Sequence, residues 1–327
     1  MTVSRRCRRL LPGMAALLSL WTLSTAAQPP AVAEMLVGTG GVTGLYYPVG
    51  GAICHLLNGL QDKGRPPCHV VPSDGSLANI AALRAGSIDY ALVQNDWQRL
   101  ALAGEGRLSA AGPFADLRAV MSLHAESVTI LARPDAEIAG LADLKGKRVN
   151  AGPPGSALRL LAEAVLAPLG KLPAADLAGL PPDEALSALC DGQVDAVVLA
   201  VGHPNGAVQS AVTTCAAVPV GLTAEERTRI LADSPDLVAT RIPAGTYPGV
   251  TEEVQTVGLV ATLVTRADVP DNAVQTVVSA LLARFDAFQG EHPALAGLKR
   301  ADLPGLGRAA PLHPGAEQAY RAAGLLP

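Results

Sequence analysis

The chain has 327 residues and a formal charge of −4, with 25 Lys and Arg against 29 Asp and Glu. That balance argues against nucleic acid or an anionic membrane surface as partner, and about 300 residues suit one large or two medium domains. Aromatic residues make up 3%, so the core has to be largely aliphatic.

Arg5, Arg6, Arg8 and Arg9 form a basic start, and Leu10 to Leu23 is mostly apolar but too short to span a bilayer comfortably. Small residues follow, with Thr25-Ala26-Ala27 and Ala31-Val32-Ala33 both acceptable before a cleavage point. The segment reads as a signal peptide over 1–27, with 33 as the later cleavage point, exporting a mature chain that does not insert in the membrane. Cys7 precedes the apolar run, so a lipid-anchored mature end is not expected. Without the four arginines, 21 basic residues face 29 acidic ones and the formal charge is −8. A bound anion would then have to be held by local dipoles, because the overall field repels it.

The stretch Leu36 to Gly50 is the one around which the rest of the chain is organised. An apolar run breaks into Gly38, Gly40, Gly41 and Gly44, then Tyr46, Tyr47 and Pro48. Val49, Ile53, Leu56, Leu57 and Leu60 lie on one helical face. This is a strand, a glycine-rich turn and a helix, and free N–H groups at such a helix start favour a small anion. A phosphate loop is excluded because no lysine occurs between Glu34 and Lys63. A dinucleotide turn is excluded because the sixth position counted from Gly38 is Thr43. A purely structural glycine turn stays open.

Cys54, Cys68, Cys190 and Cys215 remain after processing, and an even count in an oxidising compartment suggests two disulfides. Three connectivities are formally open. Nearest-neighbour pairing, Cys54–Cys68 and Cys190–Cys215, closes short loops. Zinc is disfavoured at Cys54-His55 and Cys68-His69, because adjacent helical residues point about 100° apart.

Cys68 to Val71 reads as a strand, and Ser76 is placed as the N-cap of the next helix. Tyr90 to Val93 is another strand, ending in Gln94-Asn95-Asp96-Trp97 and a helix. Three strands thus end in small or polar turns and enter helices, the βα repeat of an open parallel sheet, whose ligands gather beyond the strand ends. Leu117 to Leu131 reads as two strands. A second series comes next, with a strand at Arg148-Val149-Asn150 and a helix from Ser156 to Leu169. It continues with a helix at Pro182–Leu189, a strand at Val194–Ala200 and a helix from Thr223. A strand at Gly258–Val264, a helical tract at Asn272–Phe288 and a last helix at Ala316–Ala323 complete the first series. The expectation is an α/β chain of two lobes with a cleft between them.

Gly38-Thr39-Gly40-Gly41-Val42-Thr43-Gly44-Leu45-Tyr46-Tyr47-Pro48 resembles the signature of the TAXI solute-binding proteins of TRAP transporters. The likeness continues at Asp74–Ile80, Gln94–Trp97, Asp143–Asn150, Val201–Asn205 and Pro311–Gly315. It implies a periplasmic binding protein of the type II, Venus-flytrap kind, each lobe a mixed, mainly parallel sheet flanked by helices. The expected boundaries are 34–126 with 255–327 for lobe 1, and 127–254 for lobe 2. The implied ligand is glutamate, 2-oxoglutarate or a related carboxylate or amino acid. The implied partner is the membrane permease of a TRAP transporter. Where the family has Pro-Gly-Ser-Gly-Gln-Arg, this chain has Pro154-Gly155-Ser156-Ala157-Leu158-Arg159, which departs at an amide and a glycine.

Expected ligand contacts in the first lobe are Gly40, Gly41, Thr43, Gly44, Tyr47, Ser76, Gln94 and Asp96. From the second lobe come Asn150, Gly155, Ser156, Arg159, His203 and Asn205. Asp96 would suit an amine and repel a second carboxylate, while Arg159 could form a bidentate pair with a carboxylate or point to solvent. No hydrolase elbow or zinc-protease motif occurs, so neither catalysis, a cofactor nor a metal is expected. The mature chain is expected to be a monomer. The alternative function is a sensor that presents its ligand to a histidine-kinase ectodomain.

Overall fold

A computed structural model describes residues 34–327 apart from Thr43, 61–65 and 171–176. The expected signal peptide and the Thr43 contact lie outside the described residues. Strands β1 (Met35–Gly38), β2 (Cys68–Val71) and β3 (Tyr90–Gln94) alternate with helices α1 (Tyr46–Asn58), α2 (Ser76–Arg84) and α3 (Asn95–Ala103). β1 pairs in parallel with both β2 and β3, so the three helices start at the same edge of the sheet.

β4 (Leu117–Ala132) is one strand of 16 residues, not two. The polar tetrad His124-Ala125-Glu126-Ser127 interrupts the apolar pattern but not the strand, because partner strands fix its backbone on both sides of it. After β4 come β5 (Val149–Asn150), α4 (Ala157–Leu166), β6 (Leu177–Ala178), α5 (Pro182–Cys190), β7 (Ala196–Val201) and α6 (Gly206–Cys215). Next are β8 (Val218–Val220), α7 (Ala224–Asp233), β9 (Val238–Ile242) and the second long strand, β10 (Val254–Arg266). The chain closes with α8 (Asp271–Ala283), α9 (Phe285–Gly290) and α10 (Pro314–Ala322).

β4 and β10 pair antiparallel from Ser127–Gly258 to Leu117–Arg266. Beyond that ladder they diverge: β4 runs on along β7 and β8, and β10 runs on along β9. The strand order is β2-β1-β3-β10-β4-β7-β5-β6, a continuous mixed sheet whose outer pairs are parallel and whose pairs on the long strands are antiparallel. Its two halves make two lobes. In one, Ile53, Leu57, Leu281 and Phe288 pack on one face and Ile80, Leu83 and Trp97 on the other. In the other, Val165 and Ile230 cover one face, Leu189 and Val208 the opposite one.

Local chemistry accounts for several boundaries. α7 opens on a capping box, with Thr223 accepting from the Glu226 N–H and Glu226 accepting from Thr223 N–H. α2 does not start as expected. Gly75, at φ 83°, ψ −154°, occupies the N-cap in a conformation that favours glycine, and Ser76 is the first helical residue. Both expected disulfides are present. Cys54 on α1 joins Cys68 at the start of β2, and Cys190 on α5 joins Cys215 on α6, with Cα separations of 4.9 and 5.3 Å. They close loops of 14 and 25 residues, worth roughly 3 kcal/mol each by loop entropy.

Gly258 sits where three strands meet, opposite Ser127 on β4 and Val238 on β9. A Cβ there would overlap the Glu126 carbonyl oxygen, which is backbone and cannot swing away. Gly258→Ala is expected to destabilise the protein by about 1–3 kcal/mol, read as a lower denaturant midpoint. An unchanged midpoint would show that the two long strands can spread without loss.

Candidate functional site

Asn79 fixes the edge of the sheet from which the three helices start. It is fully buried, and its Nδ2 donates to the carbonyls of Thr39 (2.7 Å) and Leu92 (2.8 Å) while its Oδ1 accepts from Ser73 Oγ (2.7 Å). One side chain thus ties the end of β1, the end of β3 and the turn before α2. Among the described residues none of α1, α2 and α3 has an N-cap side-chain hydrogen bond. In α3 the Trp97 N–H instead donates to Asp96, whereas the first N–H groups of α1 and α2 have no side-chain partner among those residues.

A cleft opens at these helix starts. One part is lined by Gly40, Gly44, Tyr46, Ser76, Gln94 and Glu126, among others. The other part, of about 670 Å³, lies between α3 and the second lobe and includes Asp96, Gly155, Leu158, Leu161 and Leu259. Gln94, Trp97 and Arg107 line both parts, so the two are continuous. Across the cleft mouth, Arg99 Nε pairs with Asp236 at 2.8 Å, and Asn95 Nδ2 donates to the Asp236 carbonyl.

The floor of the cleft is polar, buried and incompletely bonded. Glu126 projects from β4 at the crossing and accepts from Gln94 Nε2. Burial above all, with a smaller push from neighbouring Asp96, raises its carboxyl to about 7 against the hydrogen bonding that holds it down. Asp96 accepts from the Trp97 N–H at 2.7 Å, yet burial still pushes it up to about 6. The Tyr46 hydroxyl lies beside the Glu126 carboxyl and the Ser76 hydroxyl but is in good hydrogen-bond geometry with neither. His124, two residues from Glu126, is held neutral by burial at about 3, and both of its ring nitrogens are unpartnered. The 3.9 Å approach of His124 Nε2 to Glu126 is therefore not an ion pair at neutral pH.

Of the expected contacts, the cleft brings together Gly40, Gly44, Ser76, Gln94, Asp96 and Gly155. Ser76 does not cap α2; its Oγ accepts from the Gln94 N–H at 3.1 Å, tying the α2 start to the end of β3. Gly41 is exposed beside the cleft, and the lining tyrosine is Tyr46 rather than Tyr47. Four second-lobe residues have their polar atoms engaged within the lobe. Asn150 exchanges hydrogen bonds with the Leu180 backbone, Ser156 caps α4 by accepting from the Arg159 N–H, and Asn205 caps α6. Arg159 pairs with Glu163 one turn on (2.9 Å) and donates to the carbonyls of Gly152 and Ala178, so its guanidinium is not free for a ligand carboxylate. His203 bridges Thr129 Oγ1 (2.9 Å) and the Tyr247 hydroxyl (2.6 Å), outside this cleft, and burial lowers it to about 4.

Sequence reasoning missed Tyr46, Glu126 and Arg107. Tyr46 lies three residues before Val49 and seven before Ile53, the buried phase of α1, so helical spacing alone pointed inward. Glu126 was visible as a lone acid in an apolar tract. Arg107 follows α3 in a short 3₁₀ turn and carried no signal.

Glu126 and Asp96 bind protons more tightly in the folded chain than in the unfolded one. Their contribution to stability is present below the usual carboxylate range and is lost as pH rises through about 7. The groups facing Glu126 are Tyr46 from α1, Gln94 from β3, His124 from β4 and Asp96 from α3. In Glu126→Gln the ligand-free melting temperature is expected to gain on wild type steadily from pH 5 to pH 8. A constant difference across that range would mean Glu126 is not held protonated by its surroundings.

The profile of the NMT1-like family matches residues 37–324. A crystal structure of a TctC solute binding protein from Polaromonas, without ligand, is similar at 16% identity, over 81% of this chain and 88% of that one, with a TM-score of 0.54. The periplasmic aliphatic sulphonate binding protein SsuA from Escherichia coli matches at 16% identity over 81% and 79%, with a TM-score of 0.48. The alkanesulfonate-binding protein SsuA from Xanthomonas axonopodis pv. citri, bound to MOPS, matches at 19% over 90% and 85%, with a TM-score of 0.44. At such identities the likeness speaks to the fold, a two-lobed mixed α/β binding-protein architecture. The chain has that fold and belongs to the NMT1-like family.

Proposed function

We propose that the protein is a periplasmic receptor for a small organic anion, which it captures in the cleft and delivers to a secondary transporter of the TRAP type. The observation that carries this reading is the meeting of the α1 and α2 starts, uncapped among the described residues, with the buried Tyr46 hydroxyl. The first-turn N–H groups of α1 and α2 lack side-chain acceptors among the described residues, and the Tyr46 hydroxyl is in good hydrogen-bond geometry with neither of its polar neighbours, so a bound anion would find donors there. The basic, apolar start of the sequence supports export. In this reading residues 34–126 with 255–327 form the first lobe and 127–254 the second, with β4 and β10 as the joint. The cleft is several times larger than a small carboxylate, so the walls must approach to enclose one. Closure would bring Gly155 and the leucines of α4 onto a ligand already held at the α1 and α2 starts.

Once the signal segment and its Trp21 are removed, Trp97 is the remaining tryptophan, and it lines both parts of the cleft. Mature protein, stripped of carried-over ligand by unfolding and refolding with its disulfides intact, is titrated with carboxylates and amino acids. A saturable change in Trp97 fluorescence, with a smaller radius of gyration by solution scattering, is the expected result. Folded protein that responds to none of these compounds would sink the receptor reading. Arg99→Ala removes a partly exposed pair across the cleft mouth and should weaken binding no more than about fivefold. A loss of a hundredfold would mean Arg99 touches the ligand.

A further inference from the structure

The charges facing the cleft do not suit a dicarboxylate. Arg99 is paired with Asp236, Arg159 is engaged with Glu163, and among the described residues Arg107 is the lining cation with neither an ion pair nor a hydrogen bond. Against it stand four carboxylates besides the paired Asp236: Asp74, Asp96, Glu126 and Asp233. Asp96 lies close enough to Glu126 to raise it, and neither has a cationic hydrogen-bond partner. A second ligand carboxylate would enter beside them unpaired, whereas an ammonium group would find two acceptors already buried. Beyond Trp97 the wall turns apolar, with Leu158, Leu161, Leu199, Leu237 and Leu259 facing the same space.

We propose that the ligand is an α-amino acid with an apolar side chain. Its carboxylate sits at the α1 and α2 starts with the Tyr46 hydroxyl and Arg107, its ammonium between Glu126 and Asp96, and its side chain against Trp97 and the leucines. This assignment rests on the receptor reading and refines it. The helix starts carry a site here because a second feature points to a ligand, the buried Tyr46 hydroxyl that lines the cleft without a partner. The zwitterion answers both signs at once. Its ammonium compensates the buried acids, and its carboxylate compensates the helix dipoles. The same acids would reject the 2-oxo analogue of that amino acid, which leaves them without a counter-charge.

The test titrates refolded wild-type protein at pH 7.5 with five compounds by calorimetry: L-leucine, L-phenylalanine, 4-methyl-2-oxopentanoate, L-glutamate and 2-oxoglutarate. The expected result is that L-leucine or L-phenylalanine binds at least ~10-fold more tightly than L-glutamate, and L-leucine at least ~10-fold more tightly than its 2-oxo analogue. If L-glutamate or 2-oxoglutarate binds most tightly, the apolar assignment is overturned and the receptor reading stands. If the 2-oxo analogue equals L-leucine, the ammonium site is overturned. If none of the five binds, both this assignment and the receptor reading fall. In Glu126→Gln the preference for L-leucine over its 2-oxo analogue should collapse, mainly through weaker L-leucine binding. A preserved preference would remove Glu126 from the ammonium site, and a merely structural role for Glu126 would weaken both compounds alike.

Discussion

The pairing of β4 with β10 joins the lobes and creates the cleft at the same point. Each strand is long enough to belong to one half of the sheet for part of its length and to the other half for the rest. Their common ladder ends at Ser127 and Gly258, where β7 and β9 take over. A joint made of two extended segments can change its angle through a few backbone torsions, while the cores on either side stay packed. The tight fit at Gly258 is a consequence of this joint. Where three strands meet at one residue, a side chain has no room on the approaching face.

That joint also explains why polar residues interrupt an otherwise apolar strand. Within either half, β4 is covered by helices on both faces, so Val120, Met121, Val128, Ile130 and Leu131 are apolar and buried. At the crossing the strand carries His124, Glu126 and Ser127; Glu126 lines the cleft, and His124 and Ser127 line a second cavity. Burying three such groups is unfavourable on its own terms, and the unpartnered nitrogens of His124 and the raised carboxyl of Glu126 are the signs of it. The stability forgone at this point is available to whatever ligand supplies the missing partners.

The fold was legible because its signals are periodic. Strand, small or polar turn and helix recur three times before Leu117, and that repeat pointed to a parallel sheet, though not to the order β2-β1-β3 that its strands take. The even cysteine count pointed to two disulfides but left three connectivities open, and the nearest-neighbour pairing is the one observed. The continuity of β4 was not legible, because Ala125-Glu126 looks like a break when its partners on β10 and β7 lie some 70 to 130 residues away. The site was half legible for a related reason. A residue type tells what a side chain can bond, not whether a neighbour has already bonded it. Arg159, Asn150 and Asn205 are suitable ligands in chemistry, and all three are used by backbone or side-chain partners nearby. The pair Arg159–Glu163, one helical turn apart, was readable from spacing alone.

The groups left unbonded are the more informative set. A helix capped by Ser156 or Asn205 has satisfied its own first turn and has less to offer a ligand. Among the described residues the α1 and α2 starts have no such cap, and the hydroxyl of the buried tyrosine beside them is in good hydrogen-bond geometry with no neighbour. In a protein with more acids than bases, such dipoles are the available means of holding an anion, and they act only at short range. Recognition therefore depends on bringing the ligand into contact, not on drawing it from a distance. A cleft whose walls are divided between acids, helix starts and leucines offers complements to an ammonium, a carboxylate and an apolar group within one space.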